Sequence, residues 1–320
     1  MTDKTLSLVI PVYRNEGNLP PLLAALEGLA AELGERFEVV FVVDGSPDRS
    51  APLLHEALPR AGFACQLLEL SRNFGSFSAI RAGLAAGRGD FFAVMAADLQ
   101  EPPELILEFY RRLVTGAADI TLGQREGRED GRVDSLFSGL FWGLYRRFVF
   151  AEVPPGGIDV FGCTRAVRDQ LLLLEESHSS LVALLLWGGC RREQVPYRRR
   201  RREIGRSAWT FRRKFAYLLD SVYSFSDLPI RLLLRAGIFG LVLSLVFSAV
   251  VLVARLSGRI EVPGYSAIVL LTMFFGGLNC LGLGILGSYV WRTYENTKKR
   301  PNFIVARRQS FAPSGQGEPR

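Results

Sequence analysis

Residues 236–291 hold only three charged side chains, Arg255, Arg259 and Glu261. No charge interrupts 236–254, and none interrupts 262–291. At ~1.5 Å per helical residue the first stretch can cross about 30 Å of hydrocarbon. The second can cross with some tilt or with interfacial ends. Membrane-spanning helices are therefore expected at 234–256 and 262–291. Tyr265, Tyr289 and Trp291 stand near the ends of the second stretch, as interfacial aromatics do. Arg231 and Arg235 precede the first span, and Arg292, Lys298, Lys299 and Arg300 follow the second. That bias predicts a hairpin with both outer flanks cytoplasmic. The first five residues are polar, without a signal-peptide pattern. Residues 1–206 are expected to form one cytoplasmic domain, 207–233 amphipathic helices at the membrane surface, and 292–320 a cytoplasmic tail.

Before residue 206, short apolar runs alternate with helical patterns. Runs at 6–13, 37–43, 65–70 and 91–96 read as strands, and segments at 20–33, 50–58, 77–86 and 104–116 read as helices. This alternation predicts an α/β fold with a mostly parallel, doubly wound sheet. Three of the strands end in polar clusters: Tyr13 to Glu16, Asp44 to Asp48, and Asp98 to Gln100. Arg72 and Asn73 open a further loop on the same edge. Ligands of open α/β sheets bind at the carboxyl ends of strands. Asp98 could hold a divalent cation there, with Gln100 two residues on, or it could simply be a turn residue before the helix that follows Pro103.

Composition narrows the chemistry. The net charge is +7, and arginines crowd 191–214 and the flanks of the apolar stretches. Arginine beside apolar segments suits anionic lipid or phosphate. No nucleic-acid motif accompanies the charge, so nucleic acid is not an expected partner. Two histidines, His55 and His178, argue against a histidine-based zinc site or a Ser-His-Asp triad. Four cysteines without CxxC spacing read as reduced and structural.

Four motifs occur in order: Leu8-Val9-Ile10-Pro11-Val12-Tyr13-Arg14-Asn15-Glu16, Val43-Asp44-Gly45-Ser46-Pro47-Asp48, Leu70-Ser71-Arg72-Asn73-Phe74-Gly75, and Ala97-Asp98-Leu99-Gln100-Glu101-Pro102-Pro103-Glu104. With Gly156-Gly157-Ile158-Asp159, Arg202-Glu203-Ile204-Gly205-Arg206-Ser207 and Arg300-Pro301-Asn302-Phe303-Ile304-Val305, the chain resembles family 2 glycosyltransferases of the GT-A (Rossmann-like) fold. Within them it is most similar to the polyprenyl-phosphate group, which includes dolichyl-phosphate mannose synthase and bacterial undecaprenyl-phosphate glucosyl and aminoarabinose transferases. The resemblance runs from about residue 5 to residue 306.

It implies inverting transfer of a sugar from a UDP-sugar to polyprenyl phosphate in the inner (plasma) membrane. Pro11, Tyr13, Glu16, Asp44, Arg72, Asn73 and Ala97 would face the nucleotide sugar. Asp98 and Gln100 would bind Mg2+ or Mn2+. Arg125, Arg128, Gly157, Arg202, Arg206 and Ser207 would handle phosphate and acceptor, and Asp159 falls in the acceptor-side loop. Asp98, Asp159, Arg125 and Arg202 form the implied catalytic set. Relatives often assemble as homo-oligomers. Three departures stand out: Val43 replaces the first acid before Gly-Ser, Ala96 replaces the first Asp of Asp-x-Asp, and Ala208 stands where Lys is common. A processive polysaccharide synthase is a rival, although its Gln-x-x-Arg-Trp motif is missing. A catalytically degenerate membrane scaffold is another.

Overall fold

A computed structural model describes residues 4–126, 143, 158–176, 180–199, 219–223, 228–257 and 264–314. Strands β1 (Leu6–Val12), β2 (Phe37–Val43), β3 (Ala64–Leu70) and β4 (Phe91–Val94) alternate with helices α1 (Leu19–Leu33), α2 (Ser50–Ala57), α3 (Ser76–Ala86) and α4 (Glu104–Val114). Then come β5 (Ile120–Arg125), β6 (Phe161–Thr164), α5 (Arg165–Leu173), α6 (Leu181–Trp187) and β7 (Arg192–Tyr197). Two long helices, α7 (Leu228–Leu256) and α8 (Tyr265–Thr297), precede a last strand, β8 (Val305–Phe311).

The eight strands form one sheet in the order β7-β5-β6-β4-β1-β2-β3-β8. β1 pairs in parallel with β2 and β4, β2 with β3, and β5 with β7. Only β6 and β8 run against the rest. This is the mostly parallel sheet expected from the alternating pattern. The central strands read as nearly unbroken apolar runs because both of their faces are covered. Along β1, Leu6, Leu8, Ile10 and Val12 enter one core with Leu22 and Leu26 of α1 and Phe109 of α4. Val9, on the other face, packs with Leu84 of α3, Val167 of α5 and Leu184 of α6. Gly83 of α3 is forced by this packing, since a Cβ there would lie 2.2 Å from a Val9 methyl carbon.

The sequence pointed to a hairpin at 234–256 and 262–291, and the long helices α7 and α8 occupy those stretches. Their 29 and 33 residues span roughly 43 and 50 Å at ~1.5 Å each. They meet at small residues: a Cβ on Gly240 would lie 3.1 Å from the Phe275 ring, and one on Gly282 3.2 Å from Leu233. Among the described residues one stretch, Phe274–Thr297, is long and apolar enough to cross a membrane, so the two-helix hairpin is met there on one limb only. Apolar side chains of both helices point outward, including Phe239, Val246, Leu271 and Leu283. The end of α8 is tied down by Arg292 Nη2, which donates to Asp220 Oδ1 at 2.6 Å, and by Tyr289 against Tyr223.

The tail expected at 292–320 does not simply hang free. Val305–Phe311 crosses back and pairs antiparallel with β3, from Leu70↔Val305 to Cys65↔Phe311.

Candidate active site at the carboxyl edge of the sheet

The order of the strands sets the order of the site. Across the sheet, the ends of β3, β2, β1 and β4 lie along one edge, followed by the start of antiparallel β6 and the ends of β5 and β7. Strand order turns between β1 and β4, where an open α/β sheet forms its ligand crevice.

On the β1–β3 side three loops are laced together. Asp44 ends β2 and is 2% exposed. Its Oδ1 accepts from the Phe74 amide at 2.7 Å and its Oδ2 from the Gly75 amide at 2.9 Å. Those amides belong to the turn just before α3, so the carboxylate fixes the chain as it enters the helix. Burial still raises the Asp44 carboxyl, only partly offset by the two amides and Arg72. Asn73 Nδ2 donates to the Asp44 carbonyl at 3.2 Å. Gly45 has φ +56°, and a Cβ there would lie 2.4 Å from the backbone of Arg72 and Asn73. Only glycine lets these two loops touch.

Asp48 links the β2 loop to the β1 loop. It accepts from Ser46 Oγ at 2.6 Å, Ser50 Oγ at 3.0 Å and the Glu16 amide at 3.1 Å. Glu16 in return accepts from the Arg49 amide at 2.9 Å. Burial pushes the Asp48 carboxyl up, but the hydroxyls and amides outweigh it and its pKa falls below the ordinary 3.8. Pro11 lies in β1, and Tyr13 stands 37% exposed at its end. Arg72 and Asn73 are exposed on the β3 loop.

On the other side the sheet edge is charged and crowded. Ala97 is buried, Asp98 is half-buried and Gln100 is 8% exposed. Leu99 between them has φ +53°, a left-handed conformation that costs a branched residue energy. The Gln100 amide turns back to Asp98 Oδ1 at 3.4 Å. Gln100 Oε1 accepts from Arg199 Nη2 at 2.5 Å. Arg125, at the end of β5, forms an ion pair with Asp159, just before β6. The expected site residues Asp98, Gln100, Arg125 and Asp159 thus gather on adjoining strand ends. Arg128, Gly157, Arg202, Arg206 and Ser207 lie outside the described residues.

Two residues with no role assigned from sequence join this group. Glu101 is 1% exposed, its Oε2 has no hydrogen-bond partner among the described residues, and its Oε1 lies 3.9 Å from Arg199 Nε. Burial and the neighbouring Asp98 raise its carboxyl, against the pull of Arg199 and Arg125. Tyr197 is buried beside it, its hydroxyl raised by burial and by Glu101. The only sequence signal for Glu101 was its place between Gln100 and a proline pair.

Among the described residues no group of three acidic, histidine or cysteine side chains is arranged to hold an ion. Asp98 offers one carboxylate at the lip, while Arg199 engages the Gln100 oxygen. Such a donor set fits a magnesium-like cation held mainly by a ligand's phosphates and water.

The sequence profile described as "Glycosyl transferase family 2" matches residues 7–173. The chain belongs to that family, is a glycosyltransferase, and carries its mostly parallel GT-A-like sheet. It is 33% identical over 311 residues to the undecaprenyl-phosphate 4-deoxy-4-formamido-L-arabinose transferase of Pseudomonas paraeruginosa, covering 96% of this chain and 91% of that one. It is 31% identical over 302 residues to sll0501, an uncharacterized glycosyltransferase of Synechocystis sp., covering 94% of each. Glucosyl-3-phosphoglycerate synthase of M. tuberculosis, a solved structure, aligns at 17% identity and TM-score 0.47, over 69% of this chain and 78% of that one.

Proposed function

We infer that this glycosyltransferase moves a sugar from a UDP-sugar to a polyprenyl phosphate at a membrane surface. The observation that carries this reading is the grouping of Asp98, Arg125, Asp159 and Arg199 at one sheet edge, in a chain that continues into two long helices with outward apolar faces. The acceptor named for the Pseudomonas relative supports a polyprenyl phosphate.

The donor's nucleotide would lie over the β1–β3 loops, against Pro11, Tyr13, Glu16, Asp44, Arg72 and Asn73. Its diphosphate would reach Asp98. A bound Mg2+ or Mn2+, held by Asp98, the diphosphate oxygens and water, would neutralise charge on the leaving group. Arg125 and Arg199, with Arg128, Arg202, Arg206 and Ser207 beyond the described residues, would steer the acceptor phosphate. A phosphate oxygen attacks the anomeric carbon from the face opposite UDP. The carbon–oxygen bond to the diphosphate breaks, its electron pair leaves with UDP, and configuration inverts. An anionic phosphate needs little help from a base, so positioning and charge stabilisation supply the rate.

The return of β8 to the sheet supports a hairpin reading of α7 and α8. The chain leaves the domain and rejoins it, so the number of crossings between must be even. Catalytic domain and C-terminal strand then share the cytoplasmic face of the inner membrane. Homo-oligomers through the cytoplasmic domain are part of the same reading.

The test is UDP release by the detergent-purified chain with a panel of UDP-sugars, polyprenyl phosphate and Mg2+ or Mn2+. Release that needs both the lipid and one donor supports the reading. Folded protein that releases no UDP with any donor contradicts it.

A further inference from the structure

The segment after α8 ends beside the donor-side loop. The Ser71 amide donates to the Ile304 carbonyl at 2.9 Å. Phe303 is partly buried against the same core face as Phe74 and Phe77. From there β8 follows β3 along its length, and Arg308 Nη2 donates to Gln66 Oε1 at 2.8 Å. Beyond the strand, the Ser314 amide donates to the Ala61 carbonyl at 2.9 Å and its hydroxyl to the Arg60 carbonyl at 3.0 Å. The loop at 71–75 is thus held from two sides: Asp44 takes the amides of Phe74 and Gly75, and Ile304 takes the amide of Ser71.

We propose that Phe303 and Ile304 are positioning residues for nucleotide binding: arriving from α8, they fix the Ser71–Gly75 loop that Asp44 clamps from β2. This rests on the reading of that loop as part of the donor pocket. A short loop held at only one end opens locally at low cost, and a ligand must then order it as it binds. The strand removes that cost and joins donor binding to the docking of α8. The polar, largely exposed strand Val-Ala-Arg-Arg-Gln-Ser-Phe suits its place at the edge of the sheet.

The experiment uses the full-length chain in detergent. Phe303→Ala is compared with wild type and with Ser314→Ala, at the far end of the strap. Hydrogen exchange at the amides of Phe74 and Gly75, UDP affinity by calorimetry, and donor KM and kcat are measured. The expected result is faster exchange at 74 and 75 and a Kd for UDP raised about tenfold. Donor KM should rise in step, with kcat little changed, and Ser314→Ala should behave as wild type. Faster exchange with unchanged UDP affinity overturns the proposal, because the strap would then only stabilise. Unchanged exchange also overturns it. A wild-type chain that binds no UDP removes the donor-pocket reading, and the proposal falls with it. If Phe303→Ala does not fold, Glu69→Cys with Arg307→Cys takes its place, since those positions are opposed in the ladder. Their oxidative cross-link should form and preserve UDP affinity, and failure to form it overturns the proposal.

Discussion

The two halves of the sheet edge handle buried charge in opposite ways. At the ends of β1, β2 and β3 the carboxylates of Asp44 and Asp48 accept from named amides and hydroxyls. At or beyond the ends of β4, β5 and β7, Glu101 Oε2 and Arg125 Nε are buried without a hydrogen-bond partner among the described residues. Native structures leave few such groups, and those that remain call for an explanation. The first half is complete as folded and suits a rigid nucleotide seat. The second brings Asp98, Glu101 and Asp159 together with Arg125 and Arg199 at one sheet edge, a grouping suited to phosphate chemistry.

The largest expected effect breaks the second half. Asp98→Asn should lower lipid-dependent UDP release by roughly 100-fold or more, with an unchanged circular dichroism spectrum. Full activity in that variant would remove Asp98 from the reaction. Next comes a test of the first half. Gly45→Ala forces a positive φ on alanine and drives its Cβ into the Arg72–Asn73 backbone. We expect a loss of about 2–3 kcal/mol in a denaturant titration, and weaker UDP binding. A near-neutral result would mean the two loops are not rigidly joined.

The smallest effect is also the sharpest contrast, because one carboxylate from each half, Asp48 and Glu101, should respond to pH with opposite sign. Asp48 titrates below its ordinary 3.8, so it stabilises the fold above that value, and the contribution fades as pH falls through the lowered value. Glu101 titrates above its ordinary 4.5, so the fold is favoured at low pH and loses stability as pH rises from there through the raised value. Asp48→Asn should therefore flatten the acid side of the stability profile. Glu101→Gln should flatten the rise-side loss and leave stability near pH 7 unchanged or higher. The same sign in both variants would contradict the comparison.

The parallel sheet could be read from the sequence because β1 to β4 are apolar runs closed by polar turns. Asp98 and Asp44 stood out because they end such runs. What could not be read were pairings across distance. β8 is a polar edge strand, and its partner β3 lies more than two hundred residues earlier. Helix α6 is seven residues of unbroken apolar sequence, too short for periodicity to declare it. Arg125 and Asp159 were each assigned to the site, but nothing local says that they pair with one another. Glu101 carried no role of its own in the sequence, and its burial near Arg199 and Arg125 joins residues far apart in the chain.

The most direct test of the central claim is the identity of the lipid product. Wild-type chain would be incubated with the donor that supports UDP release and with polyprenyl phosphate, and the organic extract analysed by mass spectrometry. The account predicts one new species, the polyprenyl lipid carrying a single phosphate and a single sugar. Free sugar, or a growing glycan with no such lipid, would contradict it.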